Sequence, residues 1–408
     1  MGDEGQPVTG SVKQRTVAYL GGYYPLAPDL AHERFVRDLA TVSDTWSLNA
    51  KAGPATEHEH ASRWPVTLAG PDWRADTDVY LFCWNDLIDA DRSRSWFLRL
   101  PLALWVYADF VLHGAFWRYL TRAWRYCLFF LYPFVLLGVL AGLAWLIAAA
   151  LPLAILGPGW AMVLRLVGAL AAFAVLARVI GRPLMLDHLL DDWIYARRLL
   201  THGDAEVDRR LDRLADDLAS RGGELLVVGH SLGAVHGAEL IAKLLARRPE
   251  GPPVHFVTLG SSILKLGYHS GSFRLRATLA EIAASPRLVW QDFHAHNDPM
   301  NFYRREPVSE LGLTARPAGM RSVRFRTMLS EARYRRIRRN FFRLHSQFVS
   351  ANDRRARYDY YLMLCGPFAL PVWAGSDAGF SGLIGEDGRL TDAGKAALEP
   401  AAVDGSRR

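Results

Sequence analysis

The chain has 408 residues, 50% of them hydrophobic, enough to bury the core of one large α/β domain or two smaller ones. Its formal charge of +7 is carried overwhelmingly by arginine, a balance that suits contact with an anionic surface such as lipid headgroups; no recognisable nucleic-acid module accompanies it, so nucleic acid is set aside as a partner. The three cysteines, Cys83, Cys127 and Cys365, are far apart and form no C-x-x-C pair, so they suggest no disulfide framework or zinc site and fit a reducing, cytoplasmic setting.

In chain order, residues 1–15 are polar and lack an apolar stretch of the kind a cleaved secretion signal needs. Residues 16–95 read as the first part of an α/β domain, with strands at Thr16–Gly22 and Asp78–Trp84 and a polar, histidine-containing loop around Glu57–Ser62 between them. Residues 96–125 are dense in aromatics, among them Trp96, Phe97, Trp105, Tyr107, Phe110, Trp117 and Tyr119, mixed with Arg99, Arg118, Arg122 and Arg125 and preceded by Arg94. That mixture suits a segment lying along a headgroup layer, or a core helix with one wet face.

Residues 126–181 read as a transmembrane hairpin. Between Arg125 and Arg178 the only charged residue is Arg165, and Tyr126–Leu156 is longer than the ~20 apolar residues that cross a bilayer as a helix. Pro152, Gly157, Pro158 and Gly159 break the helix, and Trp160–Ile180 is long enough to return. A pair of buried core helices is the alternative, disfavoured because soluble helices keep a polar face. Arginines flank both outer ends (Arg118, Arg122, Arg125; Arg178, Arg182) and none lies in the turn, so both flanks are expected on the cytoplasmic side. Arg165 is read as a snorkelling residue, with helix pairing as its other possible role.

Residues 182–373 read as the second part of the α/β domain: a charged helix at Ala205–Ser220, a strand at Glu224–Val228, a helix from Ala234, strands at Val254–Leu259 and Leu288–Phe293 with a helix near Arg274–Ala284 between them, a last strand near Arg321–Met328, and a basic helix from Glu331. This alternation predicts a mostly parallel sheet flanked by helices and interrupted by the two-helix hairpin. Residues 374–408 are rich in Gly, Asp and Ala and are expected to be a partly disordered tail.

Ser231 stands at the centre of Gly229-His230-Ser231-Leu232-Gly233, after the apolar run Glu224–Val228 and before a helix-like stretch. A strand, a sharp glycine turn and a helix in that order raise a serine hydroxyl above a sheet, where a base can reach it. A serine needs a histidine to take its proton, and the histidine needs a carboxylate to fix its tautomer. Asp298, in His296-Asn297-Asp298-Pro299-Met300, follows a strand where such an acid belongs; Asp292, within the strand, is its rival. His345 is the only histidine after Asp298. The backbone N–H of Leu232 and those of the Gly22-Tyr23 turn are candidates to receive an oxyanion. His294 with His296, and His58 with His60, have a spacing that metals use, but no convincing third ligand accompanies either pair, so neither a metal nor another cofactor is expected.

The segment Val227–Ala234, with its G-H-S-L-G-A form, resembles the α/β-hydrolase superfamily and within it the lipase-like enzymes, including the class 3 type. Asp298-Pro299 and His345-Ser346 are similar to the acid and base segments of those enzymes. The resemblance covers roughly Thr16–Trp373, interrupted by the hairpin, and implies an α/β-hydrolase sheet with Ser231 as nucleophile, Asp298 as acid and His345 as base. The membrane insertion departs from the family pattern and argues against a secreted role. The expected activity is that of a membrane-anchored serine hydrolase cleaving esters of lipids or acylated amphiphiles through an acyl-enzyme; thioester cleavage and acyl transfer share that chemistry. Arg335, Arg336 and Arg339, in the basic cluster ahead of His345, are candidates to hold anionic headgroups, or form a solvated face. A membrane scaffold that keeps the fold without catalysis is the competing class, and a transport path finds little support in two spans with one arginine.

Overall fold

The computed structural model describes residues 11–58, 60–153 and 156–399. Nine strands form one mixed, mostly parallel sheet: β1 (Gln14–Leu20), β2 (Asn49–Ala52), β3 (Thr56–Glu57), β4 (Ala61–Ala69), β5 (Arg74–Phe82), β6 (Glu224–His230), β7 (Val254–Leu259), β8 (Leu288–Ala295) and β9 (Gly319–Val323). The order is β2-β4-β5-β1-β6-β7-β8-β9, with β3 also paired to β4. From β5 to β9 all neighbours are parallel, while β2, β3 and β5 run antiparallel to β4. Central strands covered on both faces are mostly apolar, and β7 (Val-His-Phe-Val-Thr-Leu) is buried at every position, its His255 and Thr258 hydrogen-bonded to Glu224 and Asp292. β4, nearer an edge, alternates buried Trp64, Val66 and Leu68 with more exposed Arg63, Pro65 and Thr67.

The chain divides into two compact units. The first holds the sheet and comprises residues up to 86, 203–268 and from 272 onward. Its core gathers the helix Pro28–Trp46, the inner faces of the strands and the C-terminal segment, where Trp373 stacks on Phe380 with ring centroids 4.7 Å apart. Packing therefore continues well past residue 374, through Leu383, Ile384 and the helix Asp392–Leu398. The expected disordered end from residue 400 lies outside the described residues, as do residues 1–10 of the N-terminal segment and Glu59.

Two local expectations shift. The stretch read as a loop around residues 57–62 contains the β3–β4 turn and the start of β4, whose Pro65 and alternating polar residues masked it as a strand. The last strand ends at Val323, and Phe325–Met328 is a short helix with Phe325 and Met328 buried. The helix Pro28–Trp46, for which the sequence raised no expectation, buries Phe35, Leu39, Val42 and Trp46 along one stripe together with Asp38.

The second unit comprises residues 87–202 with 269–271, wider than the segment 96–181 that sequence delimits. Two of its helices, Trp124–Ala149 and Pro158–Gly181, have mean hydropathies of 2.3 and 2.2 and are long and apolar enough to cross a membrane. The second is exposed along nearly its whole length, and Val163, Val167, Leu170 and Val175 face outward. Arg165 lies in its second turn, and its Nε has no partner among the described residues. The aromatic approach splits in two. Tyr107, Phe110, Tyr119 and Phe130 surround the buried Trp193 of the helix Leu186–Thr201, whereas Phe97, Trp105, Trp117 and Trp124 are exposed. Arg99 donates to Asp191 (2.9 Å) inside this packing.

Candidate active site

β6 runs into a turn that the helix Gly233–Arg247 leaves at once. Ser231 occupies that turn at φ 55°, a left-handed conformation that costs a non-glycine residue about 1–2 kcal/mol. Three hydrogen bonds hold it there: Ser231 N donates to Leu259 O (3.0 Å), and Ser231 O accepts from Ser262 N (3.0 Å) and Ala234 N (3.1 Å). The flanking glycines are obligatory by space. A Cβ on Gly229 would meet Ala234 Cα at 2.5 Å, and one on Gly233 would meet Leu20 O at 2.0 Å. Strain retained by so many contacts is characteristic of functional positions.

The end of β1 approaches the same hydroxyl. A Cβ on Gly22 would lie 2.9 Å from Ser231 Cβ and 3.4 Å from Oγ, so the backbone passes against the serine because this residue is glycine. Tyr23 is buried, its ring edge-on to Trp84 with centroids 5.9 Å apart. Leu232, also buried, opens the first turn of its helix, where backbone N–H groups have no intrahelical acceptor.

Asp298 and His345 come together across 47 residues. His345 Nδ1 and Asp298 Oδ2 are 2.6 Å apart, and both residues are buried. The carboxylate is fixed by its own turn, since Asp298 Oδ1 accepts from Met300 N (2.8 Å) and Asn301 Nδ2 donates to Asp298 O (2.8 Å) and Ala295 O (2.9 Å). A proton on Nδ1 leaves Nε2 with its lone pair available, and Nε2 is buried with no hydrogen-bond partner among the described residues. The imidazole rests against Gly260, which has φ +52°; a Cβ there would lie 2.7 Å from His345 Cε1. The His230 ring lies 4.7 Å away, its Nε2 donating to His345 O (3.3 Å); burial, followed by the His345 charge, drives its pKa well below the usual range, which keeps it neutral beside His345. Ser231 Oγ points to Ser262 Oγ (3.5 Å), so the serine–histidine hydrogen bond is not made in this rotamer.

The other candidates lie apart from this pair. Asp292 accepts from Thr258 Oγ1 (2.5 Å), and burial pushes its carboxyl up to about 7. His294 and His296 sit against Tyr303, at 5.0 and 5.1 Å between ring centroids, and burial brings His294 down to about 4. His60 pairs with Asp217 (2.9 Å), and its ring lies 6.4 Å from that of His58. Arg335 and Arg336 are exposed on the helix Glu331–Ile337 and Arg339 in the turn after it, with Arg335 on Glu331 (2.8 Å). Sequence reasoning passed over Gly260, Ser262 and Asn301, because a Gly-Ser-Ser turn and an Asn two residues past a proline signal only loops.

One further cluster, in the second unit, has ligand-like spacing: Asp109, His113 and His269. Its geometry is that of an ion pair. Arg197 Nε bonds to Asp109, and His269 Nδ1 accepts from Gly271 N (3.0 Å), which places the proton on the Nε2 that faces Asp109 at 2.9 Å. No protein-family model, curated protein or solved structure matches this chain.

Proposed function

We propose that this protein is a membrane-anchored serine hydrolase of the α/β-hydrolase, lipase-like type, cleaving ester bonds of lipids or other acylated amphiphiles. The observation that carries the reading is a serine in left-handed geometry at a strand–helix turn, accompanied in the same unit by a buried imidazole that is tied to a carboxylate and has a vacant Nε2. Rotation of Ser231 about χ1 turns Oγ from Ser262 toward His345. Nε2 then takes the hydroxyl proton as Oγ bonds to the ester carbonyl carbon, and Asp298 steadies the imidazolium. The N–H of Leu232 and one from the Gly22-Tyr23 turn receive the oxyanion. Collapse breaks the carbon–oxygen bond to the alcohol, which leaves with the proton from Nε2. Water, deprotonated by the same nitrogen, then releases the acid and restores the serine.

The two apolar helices serve as the anchor, with the arginine-flanked ends on the cytoplasmic side. Exposed Phe97, Trp105, Trp117 and Trp124 would lie among headgroups, and Arg336 and Arg339 would meet anionic ones. Anchoring supplies lipid esters at high local concentration, which favours this substrate class. The reading of a non-catalytic scaffold is favoured by one observation, the Ser231–Ser262 contact in place of Ser231–His345.

Fluorophosphonate labelling of the purified full chain separates the two. Labelling of the parent that is lost in Ser231→Ala and His345→Ala is expected. Undiminished labelling in Ser231→Ala, or none in the parent, would overturn the proposal.

A further inference from the structure

β8 carries two buried polar residues on one face, Asp292 and His294, with Phe293 between them on the other face against Tyr358 and Trp373. They line a small cleft with Ser261, Asn301, Phe302 and Arg305. Two of its polar atoms are buried and lack any hydrogen-bond partner among the described residues: His294 Nδ1 and Asn301 Oδ1. His294 is 4% exposed and Asn301 2%. Leaving such atoms unpaired costs about 1–3 kcal/mol each, so a cleft holding two of them is built for something that donates or shares protons.

The remaining space admits one water-sized group. Its chemistry is selective. Asn301 Oδ1 only accepts, and Nδ1 of a neutral His294 accepts or donates according to tautomer, which suits a hydroxyl, able to do both. An anion would face Asn301 Oδ1 and the Asp292 carboxyl, and of the two arginines nearby Arg305 is engaged with Glu310 (3.0 Å) and Arg304 lies over the Tyr303 ring (5.3 Å). A cationic headgroup would meet Arg304 and Arg305.

The cleft also adjoins the proposed nucleophile. Ser261 is followed by Ser262, whose N–H bonds Ser231 O and whose Oγ faces Ser231 Oγ. Asn301, through Nδ2, holds the turn that carries Asp298. We infer that this cleft is a hydroxyl subsite, which gives the site a preference for esters whose alcohol part keeps a free hydroxyl next to the scissile bond, as glyceryl and other polyol esters do. The substrate class rests on the reading of Ser231 as nucleophile; the binding of a hydroxyl does not.

The full chain in detergent micelles tests both parts. For turnover, the readout is the ratio of kcat/KM for a monoacylglycerol to that for the methyl ester of the same acyl chain, a ratio from which any general loss of activity cancels. The parent ratio is expected near 10 or above, falling about 5- to 10-fold in His294→Leu, as loss of a hydrogen bond to a buried partner predicts, and less in Ser261→Ala, whose half-buried Oγ already accepts from Ile263 N (3.1 Å). For binding without chemistry, Ser231→Ala is titrated with a 1-O-alkylglycerol and with the alkyl methyl ether of equal chain length. Tighter binding of the glyceryl ether, weakened by adding His294→Leu, supports the subsite. Equal affinity for the two ethers overturns it even if no ester is cleaved, and a parent ratio near 1, or one unmoved by both substitutions, overturns the substrate preference. Cleavage of neither ester together with absent fluorophosphonate labelling refutes the hydrolase reading and leaves the ether titration to judge the cleft.

Discussion

Gly260→Ala tests whether the position of His345 is what makes the site reactive. The new Cβ would stand 2.7 Å from His345 Cε1 and 3.0 Å from Phe348 Cε2, where ordinary contact is 3.4 Å or more, so the imidazole must retreat by about 0.7 Å or more because the Phe348 ring blocks the other direction. Alanine at φ +52° adds about 1–2 kcal/mol of backbone strain, and overpacking adds about 1–3 kcal/mol. A displacement of that size in a proton-transfer group costs about 100-fold in rate. The assay is the second-order rate of fluorophosphonate labelling, with unfolding in denaturant measured on the same sample. Gly222→Ala is the control, since nothing lies within 4 Å of its added Cβ. Its stability should stay within about 0.5 kcal/mol of the parent. Labelling of Gly260→Ala at the parental rate, with the fold retained, would refute the assignment of His345 as base.

Asp298→Asn should lower ester turnover by about four orders of magnitude while leaving the protein folded, because it removes the acceptor that selects the Nε2-free tautomer; a loss of less than tenfold counts against the relay. Gly22→Ala places a Cβ 2.9 Å from Ser231 Cβ and should slow labelling at least tenfold, read in the same assay. Asp292 and His294 should leave opposite marks on stability against pH. Asp292, at about 7 in the fold against 3.8 in its ordinary state, contributes stability that is present below pH ~4 and lost as pH rises toward 7. His294, at about 4 against 6.5, contributes stability that is present above pH ~6.5 and lost as pH falls toward 4. Relative to the parent, Asp292→Asn should therefore gain stability as pH rises from 4 to 7 and His294→Leu as it falls from 6.5 to 4; melting curves that run parallel to the parent in both variants contradict this. Val139→Arg, in the middle of the first apolar helix, should reduce the fraction resisting alkaline carbonate extraction, since a central arginine costs about 2.5–3.5 kcal/mol on insertion; unchanged extraction contradicts a spanning role.

Patterns that repeat along the chain were legible without coordinates. The largely apolar strands leading to Ser231 and Asp298 announced a parallel sheet, because strands covered on both faces are mostly apolar. The glycines around Ser231 announced a turn without room for side chains, and the uninterrupted apolar runs announced two helices of membrane length. Less could be read where local signals conflict: β4 hides behind Pro65 and its alternating polar residues, and the C-terminal segment looks like a tail until Phe380 and Ile384 find the core.

By itself the sequence determined the secondary-structure rhythm, the strained turn under Ser231 and the two apolar helices, all of which depend on residues within one continuous stretch of chain. Only the tertiary structure decided that Asp298 rather than Asp292 meets His345, that Gly22 and Gly260 close around the serine and the imidazole, and that His294 and Asn301 share one cleft with atoms unpaired. Those are contacts between residues up to hundreds of positions apart, set by strand order and register, and no local preference of the chain encodes them.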